Sequence, residues 1–199
     1  MRPAPAAVAA VLAANPRDSD ALTLRATLLL RDGDTRGAIA DLRAVLRDQP
    51  NAIGVLRLLA QAHLSNREPA LAEEALRRAL EAAPDDMGIA LDLGRMLAQL
   101  GRLEQARPLL ARVAKARPSD VEAQTALFHA SLRARDLDAA RGAALAVAAS
   151  EPRSPTAHVF LGMLAEAERR YDEARAEFER ALALGPRAPE ALQGLVRTL

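Results

Sequence analysis

The sequence predicts an all-α protein built as a repeat array, and three observations carry that expectation. Half of the 199 residues are hydrophobic, yet only four are aromatic, while alanine occurs 47 times and leucine 33 times. Alanine and leucine are strong helix formers, and a chain this poor in aromatic and β-branched residues is badly suited to strands. Prolines stand at Pro16, Pro50, Pro84, Pro118, Pro152 and Pro186, at one constant interval with no insertion. A fixed period of about 20–50 residues marks a repeat array. Twelve residues before each of these prolines stands an alanine: Ala4, Ala38, Ala72, Ala106, Ala140 and Ala174.

Taken in order, residues 1–18 read as the second helix of a preceding unit, with Ala4, Val8 and Leu12 on one face. Complete units run 19–52, 53–86, 87–120, 121–154 and 155–188, and residues 189–199 read as the first helix of a following one. The second helix of each unit carries its apolar residues with 4, 3, 1 spacing, as in Ala38, Leu42, Val45 and Leu46. That spacing is one stripe of an amphipathic helix, and the proline beyond it cannot continue the hydrogen-bond ladder. After the proline come Asp18, Asn51, Asp86, Ser119 and Ser154, side-chain acceptors suited to capping the next helix. In that first helix, apolar or small residues recur with 3, 1, 3 spacing, as in Leu56, Leu59, Ala60 and His63, or Ala90, Leu93, Gly94 and Leu97. Breaks such as Asp32-Gly33-Asp34 and Leu100-Gly101-Arg102 return the chain to the next second helix. The expectation is eleven or twelve antiparallel helices of about 11–15 residues in a single array.

The same residues narrow the chemistry. No cysteine is present, which removes disulfides, thiolate metal sites and a cysteine nucleophile together. The compartment stays open between cytoplasm and periplasm. With 27 basic and 26 acidic residues, the chain lacks the charge footprint of a general nucleic-acid binder. Of the basic residues only Lys115 is lysine, and arginine's planar fork is the better anion partner. No apolar run is long enough to span a bilayer, and the N-terminus lacks the basic cluster and apolar centre of a signal peptide. His63, His129 and His158 belong to no metal-binding spacing, and His63 and His158 fall in columns expected to fill interhelical space. Carboxylate pairs such as Glu73-Glu74 and Asp85-Asp86 sit at a helix start or a turn, where charge favours the helix dipole. Single glycines form no phosphate cradle, and Ser65, Ser131 and Ser150 have no nucleophile-elbow context. The expectation is no enzyme, no cofactor and no metal.

A 34-residue helix–turn–helix unit with the pattern W-x2-L-G-x2-Y…A-x3-F…P is the tetratricopeptide repeat, and this chain resembles that family over its whole length. The third unit carries Leu93-Gly94, Leu97, Ala106, Leu110 and Pro118; the fifth carries Leu161-Gly162, Ala174, Phe178, Ala181 and Pro186. The family's first-helix tryptophan and tyrosine are absent. The fourth unit places Phe128 where a small residue is usual and Ala144 where a large one is usual. That exchange reads either as mutual compensation at constant volume or as a local change of superhelical twist.

The resemblance implies a right-handed superhelical solenoid whose inner wall is formed by the first helices and receives a protein or peptide partner. Its inward positions implicate Arg57, Gln61, Leu91, Arg95, Gln99, His129, Arg133, Val159 and Met163 as a partner-binding groove. Arginine, glutamine and histidine recur there at i, i+4 spacing, which suggests an acidic partner segment with apolar contacts beside it. The lysines and asparagines of the family's chaperone clamp are missing from this wall. The function expected is a non-catalytic interaction scaffold. Two other readings remain: a repeat region of a bacterial exopolysaccharide-secretion component, and a regulatory arm of an enzyme. The apolar Leu192, Leu195, Val196 and Leu199 suggest a segment of a longer array, or self-association visible as concentration-dependent sedimentation.

Overall fold

The period of the sequence becomes the period of the helices. A computed structural model describes residues 3–198, and among these the secondary structure is α-helical with no strand. The first six helices are α1 (Pro3–Ala14), α2 (Ser19–Asp32), α3 (Thr35–Asp48), α4 (Ile53–Ser65), α5 (Pro69–Ala82) and α6 (Met87–Gln99). They are followed by α7 (Leu103–Ala116), α8 (Val121–Arg133), α9 (Leu137–Ser150), α10 (Pro155–Ala167), α11 (Tyr171–Leu184) and α12 (Pro189–Arg197). The even-numbered helices start at Ser19, Ile53, Met87, Val121, Pro155 and Pro189, the first residue of each unit read from the sequence. Eleven of the twelve described helices hold 12–14 residues, and α12 is shorter at 9.

The helices fall into two compact units, one reaching to Ile89 and one beginning at Ala90. In the first, α2 pairs with α3 and α4 with α5, α1 packs on α2, and α3 on α4. In the second, α8 pairs with α9 and α10 with α11, while α7 packs on α8, α9 on α10 and α11 on α12.

Each hairpin crosses at an alanine. Ala38, Ala72, Ala106, Ala140 and Ala174 are all 0 % exposed, so a leucine there has no room and costs about 1–3 kcal/mol by overpacking. Opposite each crossing, one small and one large side chain share the space. A Cβ on Gly94 would lie 2.7 Å from Leu110 Cδ2, and one on Gly162 would lie 2.6 Å from Phe178 Cε1. In the α8–α9 hairpin the sizes are reversed: Phe128 and Ala144 occupy these columns and both are fully buried. The Phe128 ring stacks on Phe160 of α10, with centroids 4.0 Å apart and planes 9° from parallel.

The helix ends follow local rules. The second helices stop because the residue before each proline is pushed out of the helical region. Gln49, Ala83, Arg117 and Glu151 have φ between −130° and −139° and ψ between 72° and 79°. The N-cap then falls two residues after the proline, at Asp18, Ala52, Asp120, Ser154 and Ala188. Asp86, also two residues after its proline, accepts from the Gly88 and Ile89 amides. Asn51 and Ser119 are therefore not the caps expected from the sequence. They occupy the turn, and their neighbours Ala52 and Asp120 take the cap position.

Between the two helices of a hairpin the chain turns through a left-handed residue, in the column Gly33, Arg67, Gly101, Arg135 and Arg169, with φ from 60° to 87°. The amide of this residue and the next return to the helix, as in Arg67 N–H to Leu64 O (3.0 Å) and Glu68 N–H to His63 O (2.8 Å). Glycine bears this conformation without a Cβ penalty, but arginine does not. Replacing Arg67, Arg135 or Arg169 by glycine should each raise stability by about 0.5–1 kcal/mol, the steric relief less glycine's larger entropy loss. Urea unfolding checks this, and a destabilised variant would mean that the arginine side chain contributes more than its backbone strain costs.

Candidate functional site

The face formed by α6 and α8 carries the largest share of the residues implicated by the sequence. Arg95 and Gln99 stand one turn apart on α6, and His129 and Arg133 one turn apart on α8. With Glu122 and Thr125 they line one cleft of about 260 Å³ whose floor is made of small residues such as Ala126 and Ala130. Two of its cations are already engaged. Arg95 forms an ion pair with Glu122. Arg133 Nη1 donates to the Ala98 carbonyl oxygen at 2.7 Å. The cleft is thus a polar surface with its own internal pairing and no net excess of bare guanidinium.

His129 is open to the cleft on one side and bounded by aromatic rings on the other. Its ring meets Phe128 and Phe160 edge-on, with centroids 5.3 Å apart in both cases. Desolvation lowers its pKa below the ordinary histidine value; the Glu190 carboxylate opposes this shift and the Arg133 guanidinium adds to it.

The remaining implicated residues lie elsewhere. Arg57 and Gln61 are exposed one turn apart on α4, in the first unit, with Arg57 Nη1 3.6 Å from where a Cβ on Gly88 would stand. Leu91 and Val159 are each only 6 % exposed, so both serve chiefly as core, and Met163 is half-buried against the same core as Val159. Glu122 was missed, although it holds the second, inward position of its unit and so belongs to the same column set.

The other two histidines are paired with carboxylates inside the hairpins. His63, 2 % exposed, places Nδ1 at 2.6 Å from Glu68 Oε2. The Glu68 carboxyl is held below its usual range by Asn66 first and by His63 second. His158 Nδ1 lies 2.7 Å from Glu177 Oε2. Among the described residues no three histidine, aspartate or glutamate side chains come together to hold a metal ion, and no helix is long and apolar enough to cross a membrane.

The lowered pKa of His129 has a consequence for stability. As pH falls, the unfolded chain takes up this proton before the folded one. The stabilisation is therefore complete above about pH 6.5 and is lost as pH drops toward and through the lowered folded-state value. Between about pH 7.5 and pH 5.5 the parent should lose more melting temperature than His129→Gln. Parallel profiles for the two proteins would contradict this.

A family model described as tetratricopeptide repeat matches residues 4–53, 57–121 and 125–189. A search of the curated proteins gives no match. Among solved structures, the chain is similar to YrrB, a TPR protein with an unusual peptide-binding site, at a TM-score of 0.81 and 20 % identity, covering 97 % of this chain and 98 % of that one. It is also similar to MamA from Desulfovibrio magneticus RS-1 (TM-score 0.78, 19 % identity, 85 % and 96 % covered). MamA of AMB-1 gives a TM-score of 0.74 at 24 % identity, with 84 % and 99 % covered. At these identities the likeness shows the fold alone.

Proposed function

This chain belongs to the tetratricopeptide repeat family, and we propose that it is a non-catalytic scaffold holding a partner segment on the first-helix face. Proteins of this family generally bind protein or peptide partners. The observation that carries the reading here is the α6–α8 cleft, where Arg95, Gln99, His129 and Arg133 converge beside Glu122. The relative YrrB has a peptide-binding site, which supports the same use of this fold.

The partner segment is acidic, with apolar side chains packing near Met163. A carboxylate entering the cleft exchanges the Arg95–Glu122 pair for an intermolecular one, and an exposed pair is worth about 0–1 kcal/mol. Charge therefore sets register and salt sensitivity, and affinity comes from several contacts together. Arg57 and Gln61 on α4 provide the corresponding donors on the first unit. A second interaction, self-association, is supported by Leu192 and Val196 of α12, which are 51 % and 71 % exposed.

Replacing Arg57, Arg95 and Arg133 together by glutamate should abolish capture of the partners that the parent retains. Helical content should stay unchanged and the melting temperature should fall by no more than a few degrees, since all three residues are exposed. Capture by the parent should weaken as salt is added. Unchanged capture by the triple variant would reduce these donors to solvated surface.

A further inference from the structure

A second cleft lies in the first unit, away from the first-helix face. It runs between α3 and α5, is floored by α4, and has a volume of about 630 Å³. Its origin is legible in the side chains: Ala44 and Ala75 face the gap where larger residues would close it. Leu59 closes its base as part of the core, and Leu71 on its wall is 37 % exposed, so an apolar side chain is reachable beside the polar ones.

Its charges are one-sided. Arg43 and Arg47 stand one turn apart on α3, Arg78 stands across from them on α5, and all three are exposed. Glu74 is the acidic residue that lines the cleft with them. Arg78 Nη2 is held by the Pro50 carbonyl at 3.0 Å, while neither Arg43 nor Arg47 makes an ion pair among the described residues. Nearby acids are occupied: Glu68 is bonded to His63 and feels Arg43 only weakly, and Glu73 is paired with Arg77 at 2.8 Å.

The equivalent cleft two repeats later provides an internal comparison. It lies between α7 and α9 over Leu127 and Ser131, in the same register, and holds about 310 Å³. There the positions of Arg43 and Arg47 are held by Ala111 and Lys115, and the arginine that lines the cleft, Arg107, stands one turn earlier and is paired with Asp136. The first-unit cleft has twice the volume and leaves Arg43 and Arg47 without such a pair.

We infer that the α3–α5 cleft is a second docking surface, which receives an acidic amphipathic helix of a partner protein. The helix lays its apolar stripe on Leu71 and on the Ala40–Ala44 wall and sets carboxylates one turn apart against Arg43 and Arg47, with Arg78 closing the other side. The surface is independent of the α6–α8 cleft, and either can exist without the other.

The test uses the full chain and a fluorescein-labelled, capped helical peptide of about 16 residues, long enough for four turns, with leucines at i, i+4 and glutamates beside them. Anisotropy should show saturable binding that weakens with salt, and a peptide with lysine for glutamate should not bind. Arg43→Glu/Arg47→Glu/Arg78→Glu should weaken binding at least about tenfold with unchanged circular dichroism and melting, while the exposed control Arg153→Glu/Arg187→Glu binds as the parent does, and Arg95→Glu/Arg133→Glu is measured beside them. If the triple variant unfolds, Arg43→Gln/Arg47→Gln is measured instead and should still weaken binding. Absence of binding, equal binding by the α3–α5 variants, or loss confined to Arg95→Glu/Arg133→Glu would each overturn the inference. The last outcome would return the acidic peptide to the α6–α8 cleft and leave the proposed function intact.

Discussion

Two antiparallel helices can approach closely only where a side chain gets out of the way, and that constraint governs this protein at every hairpin. The alanine column at 0 % exposure lets each second helix come down on its partner, and the neighbouring small–large pair fills what space remains. Aliphatic side chains and two phenylalanines supply the volume, so a chain with four aromatic residues still buries its crossings fully. Because the crossing recurs once in every repeat, helices of one kind are brought side by side, and the clefts between them repeat in the same register. The α6–α8 and α3–α5 surfaces are both products of that spacing. They differ because the side chains lining them differ.

Arginine links one repeat to the next. Arg107, Arg141 and Arg175 occupy one column of α7, α9 and α11 and reach Asp136, Glu168 and the Thr198 carbonyl oxygen of the following repeat. Arg25 grips Asp41 through Nε and Nη2 at 2.7 Å each, and Arg197 holds Glu166 at 2.6 and 2.8 Å. A lysine could not make the two-pronged contacts. Much of the arginine content is thus structural. Guanidiniums that make no ion pair among the described residues, such as Arg43 and Arg47, stand out against that background.

The period, the start of every first helix and the alanine crossing were legible because each depends on residues in fixed columns. The caps at Asn51 and Ser119 were misread by one residue, since the proline turn takes two residues before the next helix begins. The left-handed turns were visible where Gly33 and Gly101 mark them. They were invisible at Arg67, Arg135 and Arg169, where the fold imposes the conformation on an unfavourable residue. The candidate site was legible as far as position went: Arg95, Gln99, His129 and Arg133 do line one cleft. Position does not reveal pairing, because the Arg95–Glu122 bridge and the Arg133 bond to a carbonyl depend on how neighbouring helices meet. Nor does it reveal depth, which is why Leu91 and Val159 proved to be core.

The α8–α9 hairpin tests the crossing rule where it looks broken. Phe128 and Ala144 exchange the usual sizes, and both remain fully buried. If conserved volume is what permits this, the two positions are energetically coupled. The direct measurement is a double-mutant cycle of Phe128→Ala, Ala144→Leu and the pair, read by equilibrium unfolding. Phe128→Ala alone should cost about 3–5 kcal/mol and Ala144→Leu about 1–3 kcal/mol. The double variant restores the small–large order of the Ala60 and Leu76 hairpin, and should cost less than the sum by at least about 1 kcal/mol. Strict additivity would contradict the account, because it would mean that the two residues do not share the space that holds the hairpin together.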